Sequence, residues 1–238
     1  MDIPPQQRSW ARFFGLDAAT LATPGLHLIP HAALRGYHGL WIFQHGSAVI
    51  ISLPEMCMPM ATALTGIHDL ASGVAAIRTV VADRIAREIG PVFQGHATPD
   101  EFTPRPGPTT TRLSRNNAAD LAHLAAACGA EAWEHGDLAV DGSDAHLFGC
   151  FRAGRLVAAG KHGPLVDGAF SDLGVVTHPA HRGHGFGAAV VSAAMADGFS
   201  LGGQVAMYQT LEANHPAVAV ARALGIRQHA CHVAMRLR

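Results

Sequence analysis

The sequence lacks the features of several common protein classes. Its formal net charge is only −1 and its isoelectric point is about 7.0, so it has no excess of basic side chains for neutralising nucleic-acid phosphates. No apolar run approaches the roughly 20 residues that span a bilayer. We therefore expect neither nucleic acid nor a membrane as a partner.

Paired cysteines and a targeting segment are also missing. Cys57, Cys128, Cys150 and Cys231 are scattered without a C-x-x-C pair. No basic segment followed by an apolar core and a cleavage site stands at the N-terminus. This usage fits a reducing compartment, and we expect a cytoplasmic protein.

Metal-binding spacings are absent too, although the chain has 16 histidines. There is no H-E-x-x-H and no paired Cys/His motif. His178, His181 and His184 recur every third residue, but Pro179 and the nearby glycines indicate a loop, which tolerates exposed histidine. We expect no metal cofactor. A histidine metal site is the alternative, to be tested by elemental analysis.

A chain of 238 residues with 49% hydrophobic residues can form one large domain or two small ones. Four prolines and a glycine between residues 98 and 108 interrupt regular structure and predict a boundary there. We expect an α+β domain at residues 1–104 and a second domain at residues 105–238. In the first, Tyr37–Gln44 and Ala48–Leu53 predict a hairpin, and Val74–Ile89 predicts a helix that ends at Gly90-Pro91.

The second domain alternates strand and helix patterns, which predicts an α/β fold with a central twisted sheet flanked by helices. The predicted strands are Thr110–Ser114, His146–Arg152, Arg155–Lys161, Ala169–Thr177, Gln204–Leu211 and Gln228–Leu237. The predicted helices are Asn117–Cys128, Gly187–Ala196 and His215–Leu224.

The most informative segment joins a strand to a helix through glycines. Val175-Val176-Thr177 ends the strand, His178-Pro179 turns, and Arg182-Gly183-His184-Gly185-Phe186-Gly187 opens the helix. The first N–H groups of a helix have no internal partners and carry partial positive charge, so a pyrophosphate can bind there. The glycines remove side chains that would keep the phosphate away, and Arg182 adds a charged donor.

Similar loops bind nucleoside triphosphates and dinucleotides, but their accompanying residues are missing. No Lys-Ser/Thr follows the loop, and no acidic residue ends a second strand about 20 positions later. Leu173 to Gly187 instead resembles motif A of the GNAT acyltransferases, which is an apolar strand, a Pro, and Arg/Gln-x-x-Gly-x-Gly/Ala. Glu212 to Ile226 resembles the next block of that family, with Asn214 before the helix and Leu224-Gly225 at its end.

The resemblance covers roughly residues 110–238 and implies acetyl-coenzyme A as the co-substrate. It implies that Val175, Val176 and Thr177 bind the pantetheine arm through their backbone. It implies pyrophosphate binding by Arg182, Gly183, His184, Gly185, Phe186 and Gly187. It also implies that Asn214 reaches the pantetheine across a gap between two strands, although an Asn there can equally serve as a helix N-cap.

Transfer of an acyl group to an amine needs a base, because an alkyl ammonium has a pKa of about 10.4. We consider Glu134, Asp172 and Glu212 as candidates, with solvated carboxylates as the alternative. The family often has a Tyr acid four residues before the closing Gly, where this chain has Ala221. Tyr208 is the substitute candidate, or else a core residue.

The sequence therefore predicts an acetyl-coenzyme A-dependent N-acetyltransferase acting on a small amine or an amino-terminal group. A non-catalytic acyl-coenzyme A sensor is the alternative. Residues 1–104 contain no phosphate loop, so they are either a degenerate second acyltransferase-like half or a cap over the acceptor, and we expect one coenzyme site per chain. The sequence is compatible with a homodimer and does not determine the oligomeric state.

Overall fold

The computed structural model describes residues 3–31, 37–171 and 173–238 and has a mixed α/β fold. The helices are α1 Pro5–Phe14, α2 Ala18–Ala22, α3 Leu70–Val81, α4 Ala118–Cys128, α5 Ala130–Gly136, α6 Phe186–Ser200 and α7 His215–Ala223. The strands are β1 Gly25–Pro30, β2 Gly39–His45, β3 Ala48–Leu53, β4 Ile85–Ala97, β5 Thr110–Arg112, β6 Leu147–Arg152, β7 Arg155–Lys161, β8 Leu165–Val166, β9 Ala169–Phe170, β10 Gly174–Thr177, β11 Val205–Leu211 and β12 Arg227–Leu237. The predicted fold class is confirmed.

The chain forms two compact units. The first contains residues up to 95 together with 209–215 and 228–238, and the second contains 96–208 and 216–227. The C-terminal strand thus belongs with the N-terminal residues, a long-range pairing that local sequence patterns do not reveal. That residues 1–104 and residues 105–238 form two separately folding domains stays a prediction.

The first unit is built on a sheet in the order β1, β3, β2, β12, β4. The predicted hairpin is present, because β2 and β3 pair antiparallel with Trp41 opposite Ser52. Helix α3 begins with a capping box in which the Asp69 side chain accepts from the Ser72 N–H, and Ile77 on this helix is fully buried. The core on this face comprises Leu40, Ile42, Val49, Ile51, Leu53, Ile77, Val233 and Met235, among others.

The predicted helix at Val74–Ile89 is wrong in its second half. Helix α3 ends at Val81, and Ile85 begins the 13-residue strand β4, which continues through Gly90-Pro91. The apolar residues at 85 and 89 fit a helical spacing, but a spacing of four also places residues on one face of a strand. Pairing within the sheet decides between the two, and it is not visible in a local pattern.

The second unit contains a four-stranded sheet in the order β10, β7, β6, β5. Strands β6 and β7 form the predicted antiparallel hairpin. Helix α6 covers this sheet through Phe186, Ala189 and Val190, which pack with Cys150, Val157 and Ala158. This packing fixes the start of α6 against the end of β10.

The strand predicted over Ala169–Thr177 is divided in two. Its first part, β9, pairs in parallel with Val205 and Ala206 of β11, whereas its second part, β10, pairs antiparallel with β7. One stretch of chain therefore leaves one set of strands and joins another. In the described part of the chain, β10 has no strand on its other edge.

In the described part of the chain, no helix combines the length and the apolar character needed to cross a membrane.

Candidate active site

The loop between β10 and α6 adopts a conformation that depends on glycine. Pro179–His181 form one 3-10 turn, and Gly183 and Gly185 then take positive φ angles of 76° and 80°. Residues with a Cβ rarely adopt this conformation. A Cβ at either glycine would meet no atom within 4 Å, so the surface beside them is open to a ligand.

The start of α6 offers backbone donors at this open surface. Gly185 is the N-cap residue and has no side chain that could cap the helix. The first hydrogen bond of the helix runs from the Ala189 N–H to the Gly185 carbonyl oxygen (2.9 Å). The N–H groups of Phe186, Gly187 and Ala188 therefore lack intrahelical acceptors. Together with the partial positive charge of a helix start, they fit a phosphate-bearing ligand. The Phe186 side chain is buried and anchors the helix.

Arginine and histidine side chains surround the loop. Arg182 is exposed, and its Nε donates to the Thr177 carbonyl oxygen (3.3 Å). The His184 Nδ1–H donates to the Arg182 carbonyl oxygen (2.8 Å), which holds the loop closed on itself. Burial lowers the pKa of His181, and the neighbouring His178, Arg152 and His184 lower it further. The loop thus lies in a positively charged environment.

Arg152 was not predicted as a site residue. It ends β6 at the hairpin turn, 30 positions before Arg182 in the chain, and only the fold brings its charge close to His181. No local motif marks it.

The open edge of β10 presents backbone groups in a defined pattern. Thr177 lies opposite Ala158, and the next residue, His178, donates its N–H to the Val157 carbonyl oxygen (2.9 Å). Bonding alternates along an antiparallel strand, so Val176 also bonds toward β7, while Val175 and Thr177 direct their N–H and C=O groups to the open edge. Val175 and Thr177 thus direct backbone groups to the open edge and Val176 does not, and the three backbone contacts with pantetheine stay predictions.

Helix α5 ends against this strand and carries one predicted catalytic residue. Gly136 ends the helix in contact with β10, because a Cβ on Gly136 would lie 2.5 Å from Cγ1 of Val176. Glu134 precedes that contact by two residues and is exposed. Residues two apart on a helix lie on nearly opposite sides of it, so the contact at Gly136 does not direct Glu134 toward β10, and the role of Glu134 stays a prediction.

Tyr208 is buried on β11, with 4% of its surface exposed, and burial raises its pKa to about 12. Burial thus makes this phenol a weaker acid than an exposed tyrosine, and its role as the proton donor stays a prediction. Ala221 on α7 is fully buried, and an alanine offers no acidic group at that position.

Two predicted residues belong to the first unit. Glu212 accepts a hydrogen bond at Oε1 from Gln228 Nε2 (2.7 Å), and its N–H donates to the Pro91 carbonyl oxygen (2.9 Å). Asn214 is exposed directly before α7, and its N–H donates to the Leu211 carbonyl oxygen (2.9 Å). Asp172 lies outside the described residues. The roles of these three residues stay predictions.

Solved structures with the same fold are distant in sequence. They include a GNAT-family acetyltransferase from Colwellia psychrerythraea, with 18% identity and a TM-score of 0.50 over 68% of this chain and 61% of that one. A GCN5-related N-acetyltransferase from Kribbella flavida gives 17% identity and a TM-score of 0.50 over 68% and 66%. A Drosophila protein gives 13% identity and a TM-score of 0.50 over 97% and 87%, and so resembles both units.

The similarity to the Colwellia psychrerythraea structure extends over about three fifths of that structure's own length. No curated protein sequence matches the chain. Residues 118–226 match the model of the Acetyltransferase (GNAT) family, and this range contains the loop, β10 and α6. The chain therefore carries a GNAT acetyltransferase domain at residues 118–226, in its C-terminal half.

Proposed function

We propose that the chain is an acetyl-coenzyme A-dependent N-acetyltransferase that modifies a small amine or an amino-terminal group. One observation carries the proposal: the N–H groups at the start of α6, which lack intrahelical acceptors, follow the open-edged strand β10 across the glycine loop. A pyrophosphate fits the first and an extended pantetheine chain fits the second. The family match supports acyl transfer, and the amine acceptor is our inference.

Acetyl-coenzyme A supplies an acetyl thioester when bound. In the proposed site, the Gly183 to Gly187 backbone and Arg182 bind the pyrophosphate, while Val175 and Thr177 bind the pantetheine amides. An N–H at the open edge of β10 stabilises the negative charge that develops on the thioester oxygen.

The chemical step forms a C–N bond and breaks the C–S bond. A carboxylate, for which Glu134, Asp172 and Glu212 are the candidates, takes the proton that the amine loses. The coenzyme leaves as a thiolate, and Tyr208 is the candidate that returns a proton to it. A thiol pKa of about 8.5 makes this protonation helpful rather than essential.

The test combines binding with turnover. Calorimetric titration of the full chain with acetyl-coenzyme A should give one site per chain, and a panel of amines should then release free thiol. A protein that neither binds the coenzyme nor releases thiol refutes the proposal. Two coenzyme sites would refute only the single-site prediction.

A second candidate is a non-catalytic acyl-coenzyme A sensor. It is favoured by Ala221, which replaces the usual acid of the family and is fully buried. Coenzyme binding without thiol release for any amine would support it.

A further inference from the structure

Two histidines face each other at one end of the β6–β7 hairpin, away from its turn. His146 directly precedes β6 and His162 directly follows β7, and the His162 N–H donates to the His146 carbonyl oxygen (3.3 Å). Their imidazole rings stack with centroids 4.2 Å apart and an angle of 22° between planes. Sheet pairing therefore fixes the two rings side by side.

Asp197 on α6 completes the group. Its Oδ2 lies 2.8 Å from His146 Nδ1 and 3.1 Å from His162 Nε2. One possible ligand atom from each of His146, His162 and Asp197 lies within 4.8 Å of the other two. In the described part of the chain, these three residues form the group close enough to share one metal ion. The His162 side chain is 1% exposed and that of Asp197 18%, so the group is largely shielded from water.

The contacts of His162 accommodate a proton or a metal ion between its ring and Asp197. Its Nδ1 lies 2.6 Å from the Gly163 carbonyl oxygen, which can only accept, so Nδ1 carries a proton. In a neutral ring, Nε2 would then direct a lone pair at the Asp197 carboxylate. Either a second proton or a metal ion can lie there, and a metal-bound histidine usually donates its other N–H to a carbonyl in this way.

Arg112 orients the carboxylate from the other side. Its Nη1 lies 3.0 Å from Asp197 Oδ1 and its Nη2 donates to the Ala145 carbonyl oxygen (3.0 Å), so Oδ2 is left for the two imidazoles. Nη2 also lies 3.3 Å from His146 Nδ1, a contact that an ion bound to Nδ1 would replace. The guanidinium charge weakens cation binding, which argues for moderate affinity.

We propose that His146, His162 and Asp197 bind one divalent transition-metal ion, of which Zn²⁺ fits best. Two imidazoles, one carboxylate and a water satisfy its preference for four ligands. Asp197 lies eleven residues after Phe186, about 16 Å along the helix axis, so the ion stabilises the fold and takes no part in acetyl transfer. It would join the hairpin to α6, and the proposal is independent of the proposed function.

The test uses the full chain freed of metal by a chelator and then titrated with Zn²⁺ or Co²⁺. We expect one ion per chain, a visible Co²⁺ spectrum typical of four-coordinate N/O ligation, and a rise in Tm of about 5–10 °C at a hundredfold excess of Zn²⁺ over its Kd. No uptake, or no change in Tm together with an octahedral Co²⁺ spectrum, would overturn the proposal.

Variants assign the ion to these residues. Asp197→Asn and His162→Gln should each reduce Zn²⁺ affinity at least about tenfold, as should His146→Gln, whose half-buried position makes a folding defect less severe. His123→Gln changes an exposed histidine on α4 and should bind Zn²⁺ as the unchanged chain does. Equal binding by folded His146→Gln and Asp197→Asn proteins would place the ion elsewhere and refute the site.

Discussion

Gly174 on β10 meets Gly136 at the end of α5 backbone to backbone. A Cβ on Gly174 would collide with the Gly136 carbonyl oxygen, and a Cβ on Gly136 would lie 3.5 Å from the Val175 carbonyl oxygen. The pair lets the helix approach the strand more closely than side chains would allow. This approach sets the position of the end of α5 against β10.

The first prediction concerns this contact. Gly174→Ala should push α5 away from β10 and lower the free energy of unfolding by about 1–3 kcal/mol, because backbone atoms cannot move aside as a flexible side chain can. Urea denaturation measures the change. Gly107→Ala is the control, since its Cβ would lie 3.3 Å from the Ala189 Cβ and needs only a small adjustment. Equal stability of both variants would contradict the close contact.

The second prediction concerns the base. If Glu134 takes the amine proton, Glu134→Gln should lower kcat by about 10²–10⁴-fold and leave acetyl-coenzyme A affinity unchanged. Glu131→Gln alters another exposed carboxylate on the same helix and should retain activity. Steady-state kinetics and calorimetry separate the two effects. Full activity of Glu134→Gln would leave Asp172 and Glu212 as the candidates.

The third prediction concerns the glycine loop. Gly185→Ala and Gly202→Ala each place a Cβ at a positive φ, 80° and 92°, with no atom within 4 Å. Both should therefore cost a similar backbone strain, about 1–2 kcal/mol in stability. Only Gly185 lies in the proposed pyrophosphate site, so only its variant should weaken acetyl-coenzyme A binding in calorimetry.

The two ends of α6 make this comparison informative. Gly185 caps the start of the helix, and Gly202 follows its end. Equal loss of coenzyme affinity in both variants would mean that general destabilisation, and not the loop, governs binding.

The fourth prediction concerns Tyr208. Tyr208→Phe keeps the buried ring and removes only the hydroxyl, so the fold should persist in circular dichroism. If the phenol protonates the leaving thiolate, kcat should fall at least about tenfold with KM nearly unchanged. A coenzyme analogue with a more acidic thiol should restore much of the rate. A rate equal to that of the unchanged chain would make Tyr208 a core residue.

The loop could be predicted from sequence because its physics is local. The glycine positions, the preceding strand and the helix start all lie within residues 173–187, and the structure places them as a continuous turn into α6. Strand β7 also begins and ends where it was predicted, at Arg155 and Lys161, since a short turn at Ala153-Gly154 defines the hairpin.

Features that depend on distant residues could not be predicted. The split between β9 and β10 is decided by which neighbours each part pairs with, and Ile85–Ile89 becomes strand because a sheet position is available for it. The same holds for side-chain groups. Asp197 follows His146 by 51 residues, so no spacing motif in the sequence indicates that their side chains are in contact.

The fifth prediction concerns His232, which is 4% exposed and stacked on Trp41 with ring centroids 4.2 Å apart. Its Nδ1 accepts a hydrogen bond from Gln94 Nε2 (2.8 Å), which in turn donates to Gln209 Oε1 (3.2 Å). Burial lowers the pKa of His232 to about 4. The folded protein therefore holds this imidazole neutral where an unfolded chain would begin to protonate it.

The sign of the pH effect follows from these two pKa values. Well above pH 6.5 the side chain is neutral in both states, and its full contribution to stability is present. Between pH 6.5 and 4 the unfolded state binds a proton at this side chain and the folded state does not. The free energy of unfolding therefore falls by up to about 3 kcal/mol as the pH decreases. Urea denaturation at several pH values between 7.5 and 4.5 measures this slope.

Replacing the imidazole isolates the effect from that of titrating carboxylates. His232→Phe retains a ring on Trp41 but cannot be protonated, so its stability should decrease less between pH 6.5 and 4.5 than that of the unchanged chain. His123→Gln, at an exposed position, should leave the slope as it is. If the His232→Phe and unchanged proteins lose stability in parallel over this range, His232 is not held neutral by burial, and the slope belongs to other groups.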